Sequence, residues 1–427
     1  MAIIDPTDTS SALFFAPALN LISNCEHARF CPELSDANWL TICVNRCLTQ
    51  QPRSSGRGFL QTFGLHKPDL CPKRSHFFES LKSARRLDFC AELNTRLCAE
   101  ASKILPDDLA QFSALDKFAV FAADGHFHAH ATHDPADKDG KKWATGHIYM
   151  RNLRCGLISH LTALDQVTRK KESEIRALKR TEIKALRQGT PKGRKVLLVY
   201  DRAIIDFRQW PSWKNSSGIY VLTRCKENFA LLVCGQLKFD ATDPINAGVL
   251  KDELVGAGSS SEAMRRITFR EVLSGVTYEF ITTVLDTSIA PGLLAMLYLK
   301  RWGIEKSFDE FKNKLGEKKA WASTSTAKSL QAAFISLTMN LLLLMEHQLA
   351  TQENITNKPE LERKAQRLEV DKSRAEEKDG VLPEAVFLLQ RMTQRGVKLI
   401  RWVAVQVLLQ EPWKLACASL KTLYEHQ

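Results

Sequence analysis

The densest chemistry in the chain lies in one segment that reads Tyr298-Leu-Lys-Arg301-Trp-Gly-Ile-Glu305-Lys-Ser-Phe-Asp-Glu-Phe-Lys312. At about 100° per residue, Tyr298, Arg301, Glu305 and Lys312 share a helical stripe roughly 60° wide. Leu297, Ile304, Phe308, Phe311 and Leu315 fill the adjacent stripe and would seat the helix on a core. A carboxylate flanked by two cations and a phenol suits metal binding by the acid and phosphate binding by the cations. An ordinary amphipathic helix with an Arg301–Glu305 ion pair is the plainer alternative. Two further carboxylates, Asp124 and Asp201, each follow a short apolar run, at 118–123 and 195–200. Such runs read as buried strands, and Asp124-Gly125 reads as a turn closing the first.

The elements that must position these groups follow a recognisable order. Strand candidates at 118–123, 126–133 and 146–153 precede a helix over 164–188, where Leu164, Val167, Ile175, Leu178 and Leu186 cluster on one face. The strand at 195–200, a short amphipathic stretch and the strand at 218–223 come next. This is an RNase H-like α/β order, with a carboxylate at the end of two central strands. Residues 225–286 are strand-rich, at 229–235, 266–272 and 276–285, and interrupt the pattern before a helix starting near Pro291. The predicted layout is a mostly helical region over 1–110, core over 111–224, β insertion over 225–286, core again over 287–348, and a charged then helical region over 349–427. The stretch 51–58 reads as a solvated loop.

The combined pattern resembles the DDE transposases of bacterial insertion sequences, in the group defined by the Tyr-Arg-Glu-Lys (YREK) helix. The residues that carry the resemblance are Ala123-Asp-Gly125, Tyr200-Asp-Arg202, Ile219-Tyr-Val-Leu-Thr-Arg224, Thr283-Val-Leu-Asp286 and Arg301-Trp-Gly-Ile-Glu305, over about residues 115–345. The resemblance implies an RNase H-like catalytic core in which Asp124, Asp201 and Glu305 are catalytic and hold Mg²⁺, with Mn²⁺ as a substitute. It assigns Tyr298, Arg301 and Lys312 to the DNA at the transposon end. It further implies nicking at terminal inverted repeats, a hairpin intermediate, strand transfer into target DNA, and a homodimer on double-stranded DNA. The insertion tryptophan that stacks on a flipped nucleotide in such enzymes is missing between Val221 and Leu297, which leaves Tyr278 or Phe280 as the platform.

Composition agrees with a polyanionic partner: 60 Lys and Arg against 48 Asp and Glu give a net charge of +12. Basic residues in the first region (Arg46, Arg53, Arg57, Lys67, Lys73, Arg74, Lys82, Arg85, Arg86) and the eleven over 169–195 read either as DNA contacts or as solvated faces. The first twenty residues lack a secretory pattern, and the apolar run around 341–345 reads as a buried helix rather than a membrane span. Eleven cysteines without a Cys-x-x-Cys pair suit reduced thiols, so a bacterial cytoplasmic, nucleoid-associated location is expected. Two alternatives follow other signals. His126, His128 and His130 alternate as strand neighbours, which suits a zinc-dependent hydrolase. The same architecture would also serve a non-catalytic DNA-binding relic of a transposase.

Overall fold

The computed structural model describes residues 8–49, 55–136, 138–165, 172–226, 229–258, 260, 262–378 and 396–425. Five helices open the chain: α1 (Ser10–Leu19), α2 (Asp36–Leu48), α3 (Gly56–His66), α4 (Arg74–Ser80) and α5 (Ala84–Ala101). The stretch expected as a loop at 51–58 is helical from Gly56, where the Ser55 hydroxyl accepts from the Gly58 N–H; residues 51–54 lie outside the described residues.

A single nine-stranded sheet forms the centre. Its strands are β1 (Phe118–His128), β2 (Thr145–Asn152), β3 (Ile158–Ala163), β4 (Lys195–Tyr200), β5 (Ile219–Arg224), β6 (Leu231–Gln236), β7 (Val249–Ala257), β8 (Met264–Arg270) and β9 (Thr277–Thr282). They lie in the order β3-β2-β1-β4-β5-β9-β8-β7-β6. β1 to β3 are antiparallel, while β4 and β5 run parallel to β1, which is the RNase H-like arrangement. The strand-rich stretch continues this sheet, since β9 pairs antiparallel with β5 from Leu222↔Thr282 to Arg224↔Phe280.

Three local expectations are corrected. Asp124-Gly125 is not a turn: β1 runs through it, because Phe121 to His128 pair continuously with β2. The candidate strand at 126–133 is therefore only the end of β1, and the third strand is β3. That strand is too polar for an alternation signal and forms the sheet's edge. β7 was hidden because Asp252 and Glu253 break its apolar pattern. Both acids are buried and paired across the ladder, Asp252 with Arg265 at 2.6–2.8 Å and Glu253 with Arg266 at 2.7 Å. Of the helix expected over 164–188, residues 166–171 lie outside the described residues, and the described part carries two short helices, α6 (Glu174–Arg180) and α7 (Ile183–Leu186), separated by an extended Thr181.

Alternation along β1 sends side chains to two cores. Val120 and Ala122 face a large core with the N-terminal helices, and Ala119, Phe121 and Ala123 face a smaller one with α6, α7 and α8 (Gln209–Ser217). The large core is organised by α11 (Ser325–Gln352), which packs on α2, α5 and β3. This helix is long and apolar enough to cross a bilayer, yet 89% of its apolar window is buried inside the protein. α12 (Lys358–Glu376) and the helices Val397–Leu409 and Trp413–Glu425 complete the described C-terminal part.

α11 also closes the sheet edge. Asn340 Oδ1 accepts from the Ile158 N–H at 2.9 Å, and its amide donates to the Ile158 carbonyl at 2.8 Å and to Asn94 at 2.9 Å. These groups are buried away from water, so each needs its partner. Asn340→Leu is expected to destabilise the fold by about 3 kcal/mol, to be read as a lower midpoint in urea unfolding.

Candidate active site

Parallel pairing of β1 with β4 ends at Ala123↔Tyr200, so Asp124 and Asp201 emerge side by side one residue beyond it. Neighbouring strands lie about 4.8 Å apart, which sets the spacing of the two carboxylates' backbones. By alternation both side chains face the larger core, on the side that carries the Glu305 helix. Asp201 is extended, and its Oδ1 accepts from the Arg202 N–H at 2.7 Å. Asp124 Oδ1 accepts from the Gly125 N–H at 2.9 Å.

The expected helix at 291 is two segments, α9 (Pro291–Lys300) and α10 (Trp302–Lys314), with Arg301 at the junction. The turn tightens there, the Ile304 N–H donating to the Arg301 carbonyl at 2.9 Å. Ile304 and Phe311 are fully buried, and Phe308 and Phe311 pack on Tyr149 of β2, which presses α10 onto the sheet. The Arg301 guanidinium, only 4% exposed, donates through Nη1 to Asp124 Oδ2 at 2.6 Å and through Nη2 to Glu305 Oε1 at 3.0 Å. Tyr298 is buried on α9, its hydroxyl 3.5 Å from Asp201 Oδ1 and its ring against Phe280 at 4.8 Å.

The fold thus brings together Asp124, Asp201, Tyr298, Arg301 and Glu305. Lys312 lies two turns beyond Glu305 and is exposed. Phe280 is fully buried, whereas Tyr278 is half-buried, with the Arg224 guanidinium 4.9 Å over its ring. Many of the basic residues have structural partners. Arg46 lies over Trp321, Arg86 lies over Trp39, and Arg85 is paired with Asp36. In the run at 169–195, Arg180 binds Glu172 and Arg187 donates to the Ser217 and Arg194 carbonyls. Arg57, Lys73, Arg74 and Lys82 remain exposed, and Arg53 lies outside the described residues.

Sequence reasoning missed Glu174. It sits in the first turn of α6, on the opposite face of the sheet. A Cβ on Gly125 would lie 2.1 Å from Glu174 Oε1, so the glycine leaves an opening through which this carboxylate reaches the strand end. Burial pushes the Glu174 carboxyl up to about 7, reinforced by the charges of Asp124 and Asp201. Burial likewise raises Asp124 to about 6, although Arg301 pulls it down. Burial opposes charge on Arg301 too, but Asp124 and the other acids outweigh it and hold the guanidinium firmly protonated. The Gly125 gap was invisible in the sequence because Asp-Gly reads locally as a turn.

The Transposase DDE domain family model matches residues 102–341, more than half of the chain. The chain belongs to the DDE transposase family. It is thus an enzyme of the nuclease/transposase class, in a family whose domains generally use divalent metal ions. No curated protein matches this transposase in sequence. A cryo-EM structure of the piggyBac transposase synaptic complex with hairpin DNA is similar at 10% identity and a TM-score of 0.38, over 97% of this chain and 84% of the other.

The donor set fits a hard divalent cation. Two carboxylates, Asp124 and Glu305, contact the Arg301 guanidinium and Asp201 and Glu174 lie close by; burial, with the neighbouring acids, pushes Asp124 and Glu174 toward protonation. The histidine trio proposed for a zinc hydrolase does not assemble in this transposase, because β1 ends at His128 and His130 is exposed.

The pH consequence has a definite sign. Asp124 and Glu174 bind protons more tightly folded than at their ordinary values of 3.8 and 4.5. They therefore favour the metal-free fold in acid, and that contribution fades as pH rises from about 4 to about 7. In chelator-treated protein, Glu174→Gln is expected to raise Tm by a few degrees at pH 7.5 and much less at pH 5 (of order 1–2 kcal/mol of relieved strain). Equal shifts at both pH values would show that the folded protein does not raise the Glu174 carboxyl.

Proposed function

We propose that this transposase is a cut-and-paste enzyme of the bacterial insertion-sequence type, in the Tyr-Arg-Glu-Lys group. In this reading Asp124, Asp201 and Glu305 hold Mg²⁺ or Mn²⁺ at the DNA ends. The observation that carries the reading is the side-by-side emergence of Asp124 and Asp201 from parallel strands, with Arg301 drawing Glu305 toward them. Bound Mg²⁺ supplies Lewis-acid stabilisation to the attacking and leaving oxygens of an in-line phosphodiester displacement.

The chain's own residues supply position and charge. Arg301 holds two of the acids at fixed separation before DNA arrives, so little reorganisation is needed later. Both its Nη atoms are used internally, which makes it an organiser of carboxylates first and a phosphate ligand only where DNA or metal displaces one of them. Tyr298, anchored by Phe280, presents its hydroxyl at the Asp201 side of the site. Lys312 is exposed and suits a phosphate further along the DNA. Near the end of α10, a cleft of about 680 Å³ is lined by Arg57, Arg74, Lys319 and Arg401 together with Asn313 and Trp321. Its basic lining suits the backbone of double-stranded DNA.

On this reading water cleaves one strand at the element end, the freed 3′-OH attacks the opposite strand to form a hairpin and release the flanking DNA, a second water reopens the hairpin, and the regenerated 3′-OH attacks target DNA. A homodimer assembled on two ends in the bacterial cytoplasm completes the proposal. Tyr278 is the better candidate for the stacking platform, because Phe280 is committed to the core.

Nicking of DNA bearing the gene's own flanking repeats tests the proposal. Glu305→Gln is expected to lower Mg²⁺-dependent nicking by roughly a thousandfold, equivalent to several kcal/mol of transition-state stabilisation. It should leave DNA affinity within about threefold. Lys312→Ala should instead weaken DNA binding and reduce the salt-dependence slope by about one. Wild-type protein that shifts this DNA in gels yet never cuts it in Mg²⁺ or Mn²⁺ would favour a binding relic. Nicking by Glu305→Gln at the wild-type rate would remove Glu305 from the site.

A further inference from the structure

On the face of β1 that carries Asp124, the next two side chains are His126 and His128, and a carboxylate from another part of the chain meets them. Glu317 lies in the short turn Gly316–Lys318 that follows α10. His126 Nε2 is 2.8 Å and 3.0 Å from the two Glu317 oxygens, and His128 Nδ1 is 3.7 Å from Oε1. The side chains of His128 and Glu317 are 2% and 3% exposed, and that of His126 is 15% exposed. One ligand atom from each residue fits within 4.8 Å of the others.

Two features of this cluster call for a cation. Among the described residues, the ion-pair partners of the buried Glu317 carboxylate are these two imidazoles and no Lys or Arg. Furthermore, the His128 Nδ1 is buried without a hydrogen bond. An orphaned polar atom in the interior costs about 1–3 kcal/mol. The other nitrogen of that ring, Nε2, is engaged 2.5 Å from the Tyr149 hydroxyl. In the tautomer whose Nε2–H donates to that hydroxyl, Nδ1 presents a lone pair toward the carboxylate, and a cation between them would satisfy both.

We propose that His126, His128 and Glu317 form a zinc site that clamps the end of the Glu305 helix to the Asp124 strand. Zn²⁺ takes imidazole nitrogen and carboxylate oxygen at about 2.0–2.2 Å, which puts tetrahedral ligand atoms roughly 3.4 Å apart. The observed separations of 2.8 and 3.7 Å bracket that spacing, so small side-chain movements suffice. Outer contacts already fix both rings: His128 by Tyr149, and His126 by a parallel stack on Phe308 at 4.6 Å and 12°. Water or a further donor would fill the fourth position.

The neighbouring acidic cluster selects differently. Oxygen-only donors suit Mg²⁺ or Mn²⁺, whereas two imidazoles favour zinc over both. Two adjacent sites with different metals can therefore load independently. Zinc binding needs only these three residues; its consequence for Glu305 rests on the transposase reading. Tying Glu317 to β1 fixes the far end of α10, twelve residues beyond Glu305, relative to the strand that supplies Asp124.

The test uses full-length, chelator-treated protein, with Zn²⁺ titrated against a chromophoric chelator in millimolar Mg²⁺. Co²⁺ serves as a spectroscopic probe of coordination. Wild type is expected to bind one zinc equivalent that survives gel filtration, and Co²⁺ to show the visible absorption of a low-coordinate imidazole site. Glu317→Gln and His126→Gln should each weaken zinc binding by roughly a hundredfold, while Asp124→Asn should bind zinc as wild type does. Glu317→Gln retains a hydrogen-bonding partner for His126, and unchanged circular dichroism would show that it folds. Absence of tight zinc in wild type would overturn the proposal. So would zinc that survives in both Glu317→Gln and His126→Gln, or zinc lost only in Asp124→Asn, which would place the ion at the acidic cluster. Failure of DNA nicking with zinc binding intact would count against the transposase reading alone.

Discussion

The site depends on one buried guanidinium. Arg301 spans Asp124 on the sheet and Glu305 on the following helix, and it is the positive charge around which the carboxylates gather. Burying acids without a counter-charge is costly, and the raised Asp124 and Glu174 carboxyls show that one guanidinium does not offset them all. In the metal-binding reading proposed above, a divalent cation held by Asp124, Asp201 and Glu305 would supply further positive charge there and couple metal binding to local order.

The sheet supplies the other half of the constraint. Parallel pairing of β1 and β4 sets two acids level with each other, and termination of β4 at Tyr200 leaves them uncovered. The antiparallel partner β2 meanwhile carries β1 several residues further, to His128. One strand thereby serves two centres: Asp124 at the end of the parallel pairing, and His126 and His128 on the extension. Gly125, pointing to the opposite face, admits Glu174 from α6, so acids approach the strand end from both sides of the sheet.

The strand-rich stretch also has a mechanical role. β9 pairs with β5 and its Phe280 packs on Tyr298, so the interruption in the α/β pattern buttresses the helix that carries Arg301. Its inner strands are held by buried Arg–carboxylate ladders rather than by apolar alternation. Those pairs explain why β7 could not be recognised by pattern. A charged residue in a sequence signals exposure until its partner on the next strand is known.

Local sequence determined the strands with continuous apolar runs, β1, β4 and β5, and the stripe that joins Tyr298, Arg301 and Glu305. Those features rest on side-chain period and composition, which need no long-range information. Only the tertiary structure decided what depends on partners distant in the chain. It carried β1 through Asp124-Gly125 by pairing with β2, and it drew Glu174 into the acidic cluster. It placed Glu317 rather than His130 beside His126 and His128, because β1 ends where its pairing ends. It also turned Arg301 inward, since a guanidinium between two acids is held more strongly there than in water.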